Sequence, residues 1–102
     1  MMIYKIKAGY KKQGKMIYFS QLDISRILGR ALARAGLPFY ITQGYKPRIK
    51  MSFGPALKLG RKGESEVIFY FRAPLSSGQL LKALTPHLPE GLILFDLQII
   101  SG

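Results

Sequence analysis

Residues 20–38, Ser20-Gln21-Leu22-Asp23-Ile24-Ser25-Arg26-Ile27-Leu28-Gly29-Arg30-Ala31-Leu32-Ala33-Arg34-Ala35-Gly36-Leu37-Pro38, are the stretch on which the reading of the fold turns. Ser20 places a hydroxyl where a helix N-cap belongs, and Asp23, three residues on, is favoured there by the helix dipole. Ile24, Ile27, Leu28, Ala31, Leu32 and Ala35 recur at helical spacing, and Gly36 followed by Leu37-Pro38 supplies a C-terminal stop. The spacing therefore predicts an amphipathic helix over residues 21–35. Arg26, Arg30 and Arg34 repeat every fourth position as a stripe beside the apolar face, with Asp23 close enough to pair with Arg26. The stripe reads either as a solvated helix flank or as an anion-binding ridge.

Working outward, residues 2–10 alternate as a strand, with Tyr4, Ile6, Ala8 and Tyr10 on one face and Lys5 and Lys7 on the other. Lys11-Lys12-Gln13-Gly14-Lys15 has turn chemistry, and Met16-Ile17-Tyr18-Phe19 returns to the core. Beyond the helix, Phe39-Tyr40-Ile41-Thr42 reads as a second strand, running into Gln43-Gly44-Tyr45-Lys46-Pro47-Arg48, with residues 49–53 pairing back against it. Residues 66–72 form a strand rich in Val, Ile, Phe and Tyr. Ser76 and Gln79 have capping-box spacing before Leu80, Leu81 and Leu84, and Pro86 holds that second helix to little more than two turns. Residues 92–100 make the last strand, with Ile93, Phe95, Leu97 and Ile99 on one face and Asp96 and Gln98 on the other. The order β-α-β-β-α-β predicts an α+β fold. It is that of a ferredoxin-like split βαβ sandwich with an extra basic ribbon between the second and third main strands, and two helices covering one sheet face. At 102 residues, positions 1–102 are expected to form a single domain.

Sixteen Lys and Arg against five Asp and Glu give a formal charge of +11, enough for a field that attracts phosphate polyanions. The charge is uneven. Residues 1–62 hold fourteen basic residues and one acid, a balance of +13, and residues 63–102 hold two and four, a balance of −2. A surface made soluble by charge alone mixes its signs, so the asymmetry points one region at an anion. With no Cys there is no disulfide, thiolate zinc site, cysteine-held iron–sulfur cluster or thiol nucleophile, and no cofactor or metal is expected. No apolar run approaches the roughly 20 residues of a membrane span, and the first residues lack the apolar stretch of a signal peptide. A cytoplasmic protein without a membrane partner is expected.

The candidate nucleic-acid surface is residues 43–62, where Tyr45, Lys46, Arg48, Lys50, Lys58, Arg61 and Lys62 mix cations with an aromatic ring. Lys and Arg neutralise a phosphate backbone, and an exposed ring stacks on an unpaired base for about 1–3 kcal/mol. Phe53 reads either as a second such ring or as core. Lys11, Lys12, Lys15, Arg26, Arg30 and Arg34 form a secondary basic surface, ranked lower because Asp23 offsets part of the helix charge and the stripe adjoins the buried face. Gly44, Gly54 and Gly60 fall in no phosphate-loop pattern and suit turns. Catalytic material is thin: His87 stands between Pro86 and Pro89, and Glu64 and Glu66 beside Arg61 and Lys62 read as a solvated strand end.

Phe19-Ser20-Gln21-Leu22-Asp23, residues 31–38, Gln43-Gly44-Tyr45-Lys46-Pro47 and Ser52-Phe53-Gly54-Pro55-Ala56-Leu57-Lys58-Leu59-Gly60 stand in an order that resembles a radical-SAM-linked bacterial family of uncharacterised function. The resemblance spans residues 2–100 and is to the N-terminal part of the family domain. Where that family commonly carries histidines, this chain has Gln21 and, in the loop, the surroundings of Arg48, so no role of those histidines carries over. The resemblance implies association with a radical SAM protein and a link to RNA processing or modification. Lacking the cluster's cysteines, the chain is not itself the radical catalyst. Three readings compete: a noncatalytic RNA-binding accessory module, a protein-interaction module docking on a radical SAM partner through a sheet edge or the first helix, and a metal-independent nuclease resting on His87.

Overall fold

A computed structural model describes residues 3–54 and 64–101. Strand β1 (Tyr4–Lys12) leads through a 3₁₀ turn (Gly14–Tyr18) to helix α1 (Gln21–Arg34). Strands β2 (Met51–Phe53) and β3 (Glu64–Phe71), helix α2 (Ser77–Leu84), a 3₁₀ turn (Thr85–His87) and strand β4 (Leu92–Ser101) follow. The protein is α+β, with a four-stranded antiparallel sheet in the order β2-β3-β1-β4 and two helices. No helix among the described residues is long and apolar enough to cross a membrane.

Both helices begin on the capping boxes that local sequence demands. Ser20 accepts from the Asp23 backbone N–H while the Asp23 carboxylate takes the Ser20 N–H, and Ser76 and Gln79 repeat the arrangement for α2. α1 buries Ile24, Leu28, Ala31 and Leu32, and α2 buries Leu80 and Leu84. They share one core with Ile6, Ala8 and Tyr10 of β1, Val67, Phe69 and Phe71 of β3, and Leu92 and Leu94 of β4. The central pairing sets Ile6 opposite Phe69 and Ala8 opposite Val67, so these side chains fall on one sheet face. Lys5 and Lys7, opposite Tyr70 and Ile68, fall on the other.

Four expectations change. β1 continues through Lys11 and Lys12, which pair with Glu64 and Leu92 and elsewhere in the ladder rather than turning. Of residues 16–19 only Met16 is buried. Phe39–Thr42 is not a strand: Phe39 and Ile41 make isolated bridges to Phe71 and Ile49, and the second strand is the later segment Met51–Phe53. Residues 39 and 51 both lie along β3, opposite Phe71 and Phe69, so the sheet edge is interrupted by an excursion over 42–48 that the Ile41–Ile49 bridge closes. The extra ribbon is thus, in its described part, an insertion within the second-strand position and not between two complete strands.

The fourth change lies in β4. Leu92 and Leu94 enter the core, whereas Ile93 and Phe95 sit opposite Lys11 and Gly9 on the far face. Asp96 then adopts a left-handed backbone, φ 53°, and the register shifts there, so the faces exchange and Leu97 packs against the core while Gln98 sits opposite Lys7. A short polar residue tolerates that conformation where a β-branched one would not. Gly91, at φ 94°, is tied by its carbonyl to the Gln13 N–H at 2.7 Å, and a Cβ there would run into the Gln13 carbonyl oxygen.

The Phe95 ring lies across Gly9, where a Cβ would come within 2.5 Å of it. Gly9→Ala is therefore expected to destabilise the protein by about 1–3 kcal/mol in urea titrations, as forced overpacking does. The same change made in a Phe95→Ala background should cost much less, and equal costs in both backgrounds would show that the ring is not the obstacle.

Candidate nucleic-acid interface

α1 turns two flanks away from the core. One carries Leu22, Arg26, Gly29, Arg30 and Ala33, and it faces the returning segment Arg48-Ile49-Lys50-Met51 with Thr42 and Phe53. Between them runs an open groove of about 940 Å³. Gly29 marks the close approach, since a Cβ there would lie 3.8 Å from Ile49 Cδ1 and 3.9 Å from Met51 Cε. Arg26 and Arg30 on one wall and Arg48 on the other line this groove, Lys50 stands at its rim with its amine over the Tyr70 ring, and among the described residues the lining contains no acid. Met51, Phe53 and Ile49 supply an apolar floor. The arrangement suits a polyanion with flat apolar parts, because the cations neutralise phosphate while the floor accepts stacked or sugar surfaces.

The two basic surfaces that the sequence separates therefore meet. Arg26 and Arg30 are exposed and share a groove with Arg48, so their nearness to the buried face does not withdraw them. Asp23 offsets Arg26 only in small part. Its carboxylate accepts from the Ser20 N–H and hydroxyl, both at 3.0 Å, and these hydrogen bonds hold its carboxyl below the ordinary value, with the Arg26 charge the smallest contributor. The N-cap is satisfied within one turn, and that local geometry wins over a pair along the helix.

The other assigned residues disperse. Tyr45 stands 99% exposed on the excursion with Lys46, so its ring is free of the core. Lys58, Arg61 and Lys62 lie outside the described residues. Lys11 belongs to the far sheet face, the Lys12 amine donates to the Phe19 carbonyl at 2.8 Å, and Lys15 is exposed in the 3₁₀ turn. Arg34 lines a smaller recess of about 380 Å³ with Arg30, Phe19, Ile27 and His87. Phe53 is half-buried, edge-on to Tyr10 with ring centroids 5.9 Å apart, and packs on the core while flooring the groove.

Glu66 and Glu64 sit opposite Gly9 and Lys11 on β3. Among the described residues no group of three or more His, Asp or Glu side chains could hold a metal. Sequence reasoning overlooked Gln21, Ser25, Thr42 and Met51 in the groove, and Lys5, Lys7, Ser52 and Tyr70 on the far face. The lysine alternation along residues 5–11 was the available signal for that face, but nothing in one chain segment reveals which aromatic ring it will meet.

A family model described as "Uncharacterized protein conserved in bacteria (DUF2344)" matches residues 5–102. No curated protein and no solved structure matches the chain.

The Asp23 carboxyl offers a direct check on the start of α1. With its native value lowered, the stability it contributes is full above the ordinary value of 3.8 and is lost as pH falls through the native one. Thermal melts should therefore show a smaller drop in midpoint for Asp23→Asn than for the parent between about pH 6 and about pH 3. An equal drop would place the acid sensitivity elsewhere.

Proposed function

We propose that this chain, which belongs to the DUF2344 family of conserved bacterial proteins, is a noncatalytic RNA-binding module whose groove between α1 and the 42–53 segment holds the RNA backbone. One observation carries the reading: three arginines from two separate segments, Arg26 and Arg30 of α1 and Arg48 of the returning chain, line one groove with no acidic residue among its described lining. Supporting it are the net charge of +11 and its concentration in residues 1–62. Lys46 and Tyr45, exposed on the excursion, extend the contact beyond the groove, and Lys58, Arg61 and Lys62 belong to the same basic segment.

The fold is read as a ferredoxin-like split βαβ, since β3 lies between β1 and β2 while β1 lies between β3 and β4. A cytoplasmic site of action and an accessory role beside a radical SAM protein complete the reading.

A second reading rests on a different observation. Ile17, Tyr18, Phe19 and Leu22 are exposed together at the start of α1, Tyr18 by 82%, which suits docking on a radical SAM protein partner. Co-expression separates the two. Under docking, a radical SAM protein copurifies with the parent and is lost with Tyr18→Ala and Leu22→Asp, while RNA affinity is unchanged by those substitutions.

For the groove, fluorescence anisotropy with labelled RNA across a salt series is the test. The pairs Arg26→Glu with Arg30→Glu and Lys46→Glu with Arg48→Glu should each weaken binding about tenfold or more, and flatten the salt slope by about 0.7 per lost contact to a single strand. Folded parent protein that binds no RNA at low salt would end the proposal. Full retention of binding by either pair would remove that wall from the site.

A further inference from the structure

The face of the sheet turned away from the helices holds a group of side chains that the groove leaves unused. Tyr70 projects there from β3, with Lys5 as its cross-strand partner. The Lys5 amine lies 5.5 Å from the ring centroid and the Lys50 amine 5.0 Å from it. The phenol oxygen shares a 2.8 Å hydrogen bond with the Ser52 hydroxyl, which fixes the ring from its far end. Lys7 stands on the same face, opposite Ile68. Along β3 the first acid of that face is Glu66, four residues on and about 13 Å away at the strand rise, and on β4 Asp96 accepts from Gln98, the residue opposite Lys7.

One ammonium group over a tyrosine is an ordinary cation–π contact. Two ammonium groups, reaching the ring from the two sides of β3, leave it carrying two positive charges that the ring alone does not neutralise. An anion beside the ring does. A tethered aromatic plane flanked by cations is an arrangement with which protein sheets receive an unpaired base, the ring stacking and the lysines taking the adjoining phosphates. Lys50 also lines the groove, so it stands at the rim between the two surfaces. A strand leaving the groove past Lys50 crosses the short edge segment and arrives at Tyr70.

We propose that the Tyr70 ring is a stacking platform for an unpaired base of the RNA held in the groove, with Lys5 and Lys50 passing from the ring to its phosphates, so that the ligand is single-stranded. This rests on the RNA-binding reading above and specifies its substrate class. A duplex keeps its bases stacked on one another and offers the ring none.

The test compares an unstructured oligoribonucleotide with a duplex of the same length, by anisotropy, on the parent, Tyr70→Phe, Tyr70→Leu and the Arg26→Glu, Arg30→Glu pair. The parent should prefer the single strand. Tyr70→Phe keeps the ring and should bind within about twofold of the parent, whereas Tyr70→Leu should lose about tenfold for the single strand alone, with the salt slope unchanged because no phosphate contact is removed. Should Tyr70→Leu fail to fold, photocrosslinking of the parent to a 4-thiouridine oligonucleotide replaces it, with the adduct mapped to Tyr70 as the expected result. Equal affinity for duplex and single strand, an indifferent Tyr70→Leu, or crosslinks confined to the groove would overturn the platform. If the arginine pair still abolishes binding in that case, the groove stands without it; if the folded parent binds neither RNA, both fall.

Discussion

The antiparallel pairing of β1 with β3 is the constraint on which the rest of the molecule depends. Side chains alternate with a period of two, so the register that sets Ile6 opposite Phe69 and Ala8 opposite Val67 commits every other position at once. Core residues turn toward α1 and α2, and Lys5 and Lys7 turn away with Tyr70 and Ile68. A slip of one residue would turn one strand over against the other, either driving the lysines of β1 into a dry core or placing Phe69 in water, and each is costly against the small net stability of a domain. The central pair thereby determines the apolar interior and the chemistry of the outer face together.

The groove is a consequence of where that sheet ends. β2 contributes only three residues, and the chain before it leaves the edge and returns, so a backbone turn and its cations stand beside α1 instead of a flat strand. Gly29, with no side chain, and the small Ala33 keep the helix wall low beside the arginines. The opposing wall is set by bonds across the excursion: Thr42 N–H donates to the Arg48 carbonyl at 2.7 Å, and the Arg48 N–H donates to the Thr42 hydroxyl at 3.1 Å. Arg48 is thus presented by a fixed backbone, although its own side chain is exposed.

What could be read from the chain is what short-range chemistry decides. Ser20 with Asp23 and Ser76 with Gln79 announce both helices because a cap is satisfied within one turn. The faces of β4 were misassigned because a single left-handed residue, Asp96, reverses an alternation that otherwise looks regular. Phe39–Thr42 has the composition of a strand, yet β3 is shared between it and the later segment, and long-range pairing, not propensity, decides which becomes β2. The arginines of α1 and Arg48 were legible individually as cations, while their meeting in one groove depends on the packing of α1 against Ile49 and Met51, which no local pattern contains.

The same irregularities bear on how the sheet meets other chains. An open sheet is exposed at its two outer strands, where unpaired backbone groups can recruit a foreign strand and propagate into aggregates. Here one margin is three residues long and flanked by an excursion containing Pro47, which has no N–H to offer. The other is ten residues long, but its ladder to β1 is broken by two register shifts. Among the described residues neither presents a long, straight template. The sheet gains resistance to strand-to-strand polymerisation from this, and a partner that captures extended backbone would find little to extend. Any ligand would meet side chains on the faces and helices, where charge and shape discriminate, in place of a backbone edge that would accept almost any sequence.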